Sequence, residues 1–464
     1  MSDRPRIGLL GIMQALYDEM VPGITERQAA YARTLADRLG AVADVTFSRP
    51  ARDREDIDAI VRGFSAEAVD GIVIVMLTYG PAMRTIQALA GTRAPLLLAN
   101  VQPVRSIGAG WTMDDLTYNQ GIHGAQDQAN ALVRSQRPFS VLTGDWRSDA
   151  FLERFDEWAR AATTVSRLRR TKVALLGNPM NGMGDILPDL NALARTLGVT
   201  VQAEDIGGLV RRIDAVAEAD VSALVDVHRE RFRVAADLPG ERHAYAARLE
   251  LALRGLLSDG GYGGFSFHFD SIGGDGRVRQ LPLLAASNLM ADGYGFAAEG
   301  DVNTAALMCA ALSLTGTAHF SELYAMDWEL DSVLVSHMGE GNWRIARPDQ
   351  PIALIDRPLG IGGLENPPTP VFMATPGPAT TAALVQVAGA EMSLLVGSGE
   401  ILDTPRLPHV PMHHFHFRPA AGMETFMDAW LRRGGPHHFI TTLGDDRGRW
   451  RRLTEALGLA YEEI

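Results

Sequence analysis

Gly71-Ile-Val-Ile-Val-Met76 carries no polar side chain. A strand with one face in water would alternate, so this run reads as a strand covered on both faces. Two stretches of the same kind flank it. Arg6–Ile12 is apolar after its first residue, and Pro95-Leu-Leu-Leu-Ala-Asn100 repeats the pattern downstream. Residues 42–48 read as another strand. Helix signals fill the gaps. Thr25-Glu-Arg-Gln28 fits a capping box opening a helix to about Leu39, residues 55–65 form a second, and Pro81 stands where a helix tolerates proline, in its first turn. Buried strands alternating with helices imply a parallel sheet with helices on both faces.

The pattern restarts at Thr171. Lys172–Leu176 reads as a strand, 186–197 as a helix, 220–227 as a strand, 243–257 as a helix and 265–270 as a strand with polar groups at its end. Beyond about residue 315 the texture changes. Residues 331–337, 369–374, 382–387, 392–398 and 411–418 are short, mostly alternating runs, separated by Pro367-Pro368 and Pro376-Gly-Pro378 among others. That is an antiparallel barrel or sandwich. Helices over 424–433 and 447–457 close the chain. The expected fold class is therefore α/β, with two Rossmann-like parallel-sheet domains over 1–168 and 169–315 and a mainly antiparallel, barrel-like domain over 316–464. Ligands of open parallel sheets bind beyond the carboxyl ends of strands. The loops to watch are 12–17, 100–123, 177–184 and 268–275.

Composition narrows the function. The chain has 464 residues, 46% hydrophobic and 21% charged, enough for two to four domains at roughly 100–200 residues each. Its 43 basic and 56 acidic residues leave a net charge of −13, which excludes the basic face of a nucleic-acid binder and disfavours anionic membranes. Cys309 is alone, so no intrachain disulfide can form. Lys172 is the only lysine, which leaves Schiff-base chemistry nowhere else to go. Arg4 and Arg6 before the apolar run 7–16 mimic a signal peptide, but Asp18 and Glu19 follow at once without a small-residue cleavage site. No apolar run reaches the roughly 18 residues of a membrane span. A soluble, cytoplasmic protein is expected.

Two glycine-rich stretches invite a phosphate-binding reading. Gly177-Asn-Pro-Met-Asn-Gly-Met-Gly184 and Gly360-Ile-Gly-Gly363 fit neither the dinucleotide fingerprint nor the P-loop, and read as tight turns. Histidines say more. Six of the twelve fall between 409 and 438. His414 and His416 share a strand face with metal-binding spacing, or are simply polar residues on a half-exposed strand. His437-His438 follows Gly434-Gly-Pro436, so a turn holds them at a strand entrance. Two glutamates stand in apolar company: Glu299 before Gly300-Asp301, and Glu322 within Phe320-Ser-Glu-Leu-Tyr324. Asp301 suits a helix cap, which leaves Glu299 pointing elsewhere. A glutamate among apolar neighbours is costly unless paired or coordinated. His337 ends its strand on the face of Val333 and Val335, as a core histidine would.

In this order the segments resemble those of the L-arabinose isomerase family. Residues 293–302, Gly-Tyr-Gly-Phe-Ala-Ala-Glu-Gly-Asp-Val, look like that family's glutamate loop. Phe320-Ser-Glu322-Leu-Tyr324 resembles its second glutamate segment, Leu334-Val-Ser-His337-Met its histidine strand, Leu359-Gly-Ile-Gly-Gly363 a turn, and Gly434-Gly-Pro-His-His438 the last ligand loop. Upstream, Gln14, Leu16, Tyr17, Asn119-Gln120, His123, Met180 and Phe265 to Phe269 also match family positions. The likeness covers almost the whole chain.

The resemblance implies a metal site of Glu299, Glu322, His337 and His438 for a divalent ion such as Mn²⁺, a set of hard and borderline donors that suits that ion. It implies aldose–ketose isomerisation of a small free sugar through an enediol, with Glu299 and Glu322 as acid and base. Gln14, Leu16, Tyr17, His123, Met180 and Phe269 would contact substrate, and the protein would be a homo-oligomer, by resemblance a hexamer. Departures stand beside the ligands: Val302 replaces an aromatic residue, Asn303 a common lysine, Leu323 an aspartate and Ala15 a histidine. Gly339-Glu-Gly-Asn-Trp343 and the strand 411–417 are also unlike the family. A related epimerase or lyase, or a non-catalytic sugar-binding protein, would use the same architecture.

Overall fold

The computed structural model describes residues 4–273, 276–361, 363–387 and 391–464. Gly362, in the glycine turn 359–363, lies outside the described residues. The chain divides into two compact units. One holds the chain as far as Arg167 together with Gly448–Leu459; the other holds Leu168–Arg447 with Ala460–Ile464.

The first unit is built on β1 (Arg6–Ile12), β2 (Asp44–Thr46), β3 (Gly71–Met76), β4 (Leu96–Asn100) and β5 (Ser140–Thr143), all parallel in the order β2-β1-β3-β4-β5. Every residue of β3 is buried, as its composition demanded. Val73 and Val75 face one apolar cluster with Leu35, Tyr31 and Trp158, while Ile72, Ile74 and Met76 face a second with Ile57, Ile60 and Phe64. The sheet is thus covered on both sides. The expected capping box at Thr25 is not made. The helix Ile24–Leu39 begins one residue earlier, entered through Gly23 at φ +81°, and Thr25 Oγ1 donates instead to Asp18 Oδ1 at 2.6 Å. Helix Arg447–Leu457 forms as read from sequence, and all of it past Arg447 belongs to this unit, with Trp450 fully buried.

The second unit opens on β6 (Lys172–Leu176), β7 (Thr200–Glu204), the two-residue β8 (Arg233–Val234), β9 (Gly264–Phe267) and β10 (Gly295–Ala298). A parallel sheet runs β10-β9-β6-β7. The strand expected over 220–227 is a helix, Glu218–Arg231. Val221, Val225 and His228 are buried at helical spacing, Glu218 and Asp220 sit in the first turn, and Arg229 and Arg231 in the last, where the backbone dipole favours each sign. One edge of the sheet is β7, Thr-Val-Gln-Ala-Glu, which the sequence hides because it has no apolar run and none of its residues is buried. The apolar run from Phe265 leaves the sheet after Phe267, and Phe269–Gly273 forms a short helix.

Next come β11 (His319–Asp327), β12 (Ser332–Ser336), β13 (Ala353–Asp356), β14 (Pro368–Val371), β15 (Gly377–Gln386), β16 (Met392–Ile401), β17 (His414–Pro419), β18 (His438–Leu443) and β19 (Ala460–Glu463). Among the described residues six strands close a barrel, β15-β18-β11-β12-β17-β16 and back to β15, every pairing antiparallel. Phe415, Phe417, Phe426, Trp430 and Phe439 belong to its apolar core. β19 adds to β16 in parallel, and β8, β13 and β14 form a small separate sheet. The barrel, not a sandwich, is the outcome. Its register puts Glu322 opposite both His438 and Ser336, the residue before His337.

Candidate metal centre and active site

Glu299 follows β10 in a conformation that L-residues avoid. Its φ is +62° and that of Gly300 is +79°. A left-handed backbone at a side-chain-bearing residue costs about 1–2 kcal/mol. Neighbours hold it there. Met180 N donates to Glu299 O at 2.9 Å and Gly300 N to Phe267 O at 3.2 Å. A Cβ on residue 300 would stand 2.5 Å from Asn178 O, so only glycine fits. Asp301 then caps the helix Val302–Thr315, with Oδ1 accepting from Thr304 N at 2.9 Å.

His438 opens β18. Its ring is fully buried, and Nδ1 faces Asp301 Oδ2 at 3.0 Å. The other nitrogen, Nε2, stands 3.5 Å from Glu322 Oε1 and 3.7 Å from Glu299 Oε2. His337, 2% exposed, uses Nδ1 toward Glu340 Oε2 at 2.8 Å. The Phe320 ring packs against both histidines, with centroids 4.5 Å from His337 and 4.8 Å from His438. One ligand atom from each of Glu322, His337 and His438 lies within 4.8 Å of the others, and the same holds for Glu299, His437 and His438. These two groups share His438, so each of the other three expected ligands lies in a group with it.

The pattern of partners tests whether a divalent ion fits. Each imidazole spends Nδ1 on a carboxylate, while Nε2 of His337, Nε2 of His438 and Oε2 of Glu299 are buried without a hydrogen-bond partner. Buried polar atoms are seldom left unpaired. Anchoring one ring nitrogen on a carboxylate is also how ligating histidines are held. The donors present fit a divalent cation such as Mn²⁺. Electrostatics agree in sign. Burial works to raise the Glu322 pKa, but His438 and His337 overcome it and bring the carboxyl down to about 2. Burial works to lower that of His438, but Asp301 and Glu322 outweigh it and lift the ring to about 10.

The other histidines are accounted for differently. His414 receives Leu407 N on Nε2 at 3.0 Å and pairs Nδ1 with Met412 O at 2.9 Å. His416 pairs with Ser332 Oγ at 3.0 Å. Both are tied into the structure, as polar strand residues. His413 is buried, stacked on Phe372 at 5.3 Å.

Of the remaining expected site residues, Met180 lies in the loop beside Glu299, and Phe269 starts the short helix after β9, with its ring 4.9 Å from His268. Gln14, Leu16, Tyr17 and His123 belong to the first unit, past the carboxyl end of β1 and on the helix Gly121–Arg134. Sequence reasoning missed three carboxylates. Glu340 orients His337, Asp301 orients His438 in addition to capping, and Asp185 orients His437. The spacing of Glu340, three residues past His337, was a usable signal; Asp185 is 252 positions from its partner and left none.

Comparison with known proteins meets this geometry from another side. Models of the L-arabinose isomerase N-terminal, central and C-terminal domains match residues 6–170, 172–317 and 317–460. An L-arabinose isomerase of Nocardioides sp. is 33% identical over 464 residues, covering 95% of this chain and 90% of its own. One from Acidothermus cellulolyticus is 32% identical, covering 92% and 86%, and one from Klebsiella pneumoniae 33%, covering 80% and 76%. A periplasmic solute binding protein of Actinobacillus succinogenes 130z with bound D-allose superposes with a TM-score of 0.18 at 13% identity, over 68% of this chain and 92% of its own, too low a score to bear on fold or function. With three domain models in order along its length and relatives at this identity, the chain belongs to the L-arabinose isomerase family of aldose–ketose isomerases.

Proposed function

We propose that this protein is a Mn²⁺-dependent isomerase of L-arabinose or a closely similar free aldose, working through an enediol. The single observation that carries the metal dependence is the set of partnerless buried atoms, Glu299 Oε2, His337 Nε2 and His438 Nε2, converging beside Glu322. Glu299, Glu322, His337 and His438 would hold the ion. When bound, a divalent cation supplies Lewis-acid polarisation of the sugar carbonyl and hydroxyl.

The chain's own groups do the rest. One carboxylate removes the C2 proton of the aldose and returns it to C1, while the other moves a proton between O1 and O2. Glu299 and Glu322 are the two carboxylates of the site that orient no histidine, each partly exposed while His337 and His438 are not. Phe320 and the buried rings exclude water on that side. Leu323 and Val302 adjoin these groups in sequence and Ala15 adjoins Gln14. They tune which sugar fits, with Gln14, Leu16, Tyr17, His123, Met180 and Phe269 as further sugar contacts.

The proposal includes a division into domains over 1–168, 169–315 and 316–464, a cytoplasmic location and a homo-oligomer, by family likeness a hexamer in which Gln14, Leu16, Tyr17 and His123 reach a neighbour's site. No helix among the described residues is long and apolar enough to cross a membrane. Exposure of the apolar Leu16 at 51% and Ile122 at 52% supports a covered surface there. A gel-filtration mass equal to one chain would refute the oligomer. Activity is tested by stripping the protein with EDTA, reloading with Mn²⁺ and following ketose formation from a panel of aldoses. L-arabinose should be converted in the loaded protein only; turnover indifferent to both treatments would sink the metal-dependent reading, and an epimer as product would replace isomerisation.

A further inference from the structure

His437 stands beside a proposed ligand, yet its surroundings are unlike those of His438. It is 32% exposed, where His438 is fully buried. Asp185 grips it twice: Oδ2 accepts from the His437 backbone N at 3.1 Å and pairs with Nδ1 at 2.6 Å. The grip spans the second unit, because Asp185 lies in the loop between β6 and the helix Leu190–Thr196, while His437 precedes β18. A ring held by one edge has one direction left for the other. Nε2 points at 3.6 Å from Glu299 Oε2 and 3.8 Å from Glu322 Oε1, and has no hydrogen-bond partner. Those distances are too long for hydrogen bonds and leave room for one more atom.

We propose that Asp185 is a positioning residue and His437 a substrate contact: Asp185 fixes the ring so that Nε2 meets a hydroxyl of the sugar where it lies between Glu299 and Glu322. A hydroxyl both donates and accepts, so an imidazole can bond it in either tautomer or charge state. Four protein groups are already assigned to the ion, and His437 Nε2 faces the two carboxylates among them. The assignment rests on the isomerase reading above and goes beyond it, since it names what orients the sugar rather than what holds the ion.

The experiment compares wild type, Asp185→Ala and Asp185→Asn, each loaded with Mn²⁺. Three quantities are read: the Mn²⁺ dissociation constant by calorimetry, the affinity for a polyol that lacks the carbonyl, and KM against kcat for L-arabinose. Asp185→Ala should weaken polyol binding and raise KM about tenfold, the value of roughly one hydrogen bond, with Mn²⁺ affinity within about twofold of wild type. Asp185→Asn, whose amide oxygen still accepts from Nδ1–H, should recover most of the loss. A downfield Nδ1 proton resonance of His437 should be present in wild type and absent from Asp185→Ala. Equal polyol affinity in wild type and Asp185→Ala, nil included, overturns the assignment, and so does a parallel loss of Mn²⁺ affinity, which would make Asp185 a support of the ligand set. A wild type that binds polyol but turns over no aldose would overturn the isomerase reading instead, and leave the contact standing.

Discussion

Two groups of histidine and glutamate lie in the second unit, one among helices and one at the end of the barrel. In the helical group His228 Nδ1 meets His243 Nε2 at 3.1 Å, His228 Nε2 meets Glu250 Oε2 at 3.2 Å, and Glu250 also takes Asn288 Nδ2 at 2.7 Å and Arg254 Nη2 at 3.1 Å. The bonds close on one another. At the barrel end His337 and His438 each spend Nδ1 on an outer carboxylate and leave Nε2 without a hydrogen-bond partner, and Glu299 Oε2 has none either. The difference teaches that residue type does not make a ligand site. What matters is whether the last lone pair has been used. The closed group is an internal strut, and the open one is the proposed seat of the ion.

Four measurements test that contrast. The largest effect is expected from Glu299→Gln. Glutamine keeps the shape and the left-handed backbone but cannot exchange the proton, so turnover should fall by about 10²–10⁴-fold while the circular dichroism spectrum is unchanged. Retained turnover would remove Glu299 from the chemistry. Glu250→Ala should act the other way round. It leaves His228 and Asn288, both fully buried, short of a partner, a loss of about 3–5 kcal/mol in urea unfolding, yet Mn²⁺ stoichiometry in the folded fraction should stay the same. Loss of Mn²⁺ without loss of stability would reverse the roles of the two groups.

Glu340→Gln is the intermediate case. It disturbs only the group behind His337, so Mn²⁺ affinity should weaken by about 10–100-fold in calorimetry, with a modest change in stability. Unaltered affinity would mean that His337 needs no orienting partner. The smallest effect concerns pH, and the two groups should respond in opposite directions. Burial pushes His243 down to about 4, so its share of stability is present above the ordinary value near 6.5 and is lost as pH falls through 4. His438 is raised to about 10, so its share is present below 6.5 and is lost as pH rises through 10. In metal-free protein the melting temperature should therefore decline on both limbs. Mn²⁺ should flatten the alkaline limb only, because a ligating imidazole must be neutral. A Mn²⁺ effect confined to the acid limb would contradict the assignment of His438.

The sequence made the strands that bury both faces easy to read, since nothing but a covered parallel sheet accommodates Gly71–Met76. It misled at 220–227, where valines suggested a strand but their spacing of four suited a helix. It concealed β7, whose exposed edge needs no apolar signature. At the site, residues inside one local motif, such as Glu299 with Gly300 and Asp301, could be found, because turn geometry and cap leave a local trace. The second layer could not. Asp301 was legible as a cap but not as the partner of a histidine 137 positions away, and Asp185 is bound to His437 only by the folded path of the chain.

The place of β18 in the barrel has a consequence for how the protein comes into being. It is the strand that joins β15 to β11, and its first residue is His438. Glu299, Glu322 and His337 leave the ribosome first and wait, with nothing yet to complete the set. A metal ion present during synthesis therefore meets at most a partial set of the proposed ligands until that strand has docked. Long-range strand pairing of this kind is slow because the intervening chain must be closed before any contact rewards it. Metal capture should thus report the closing step of assembly, a late event with its own rate, and refolding followed by Mn²⁺ uptake should lag behind refolding followed by helix content.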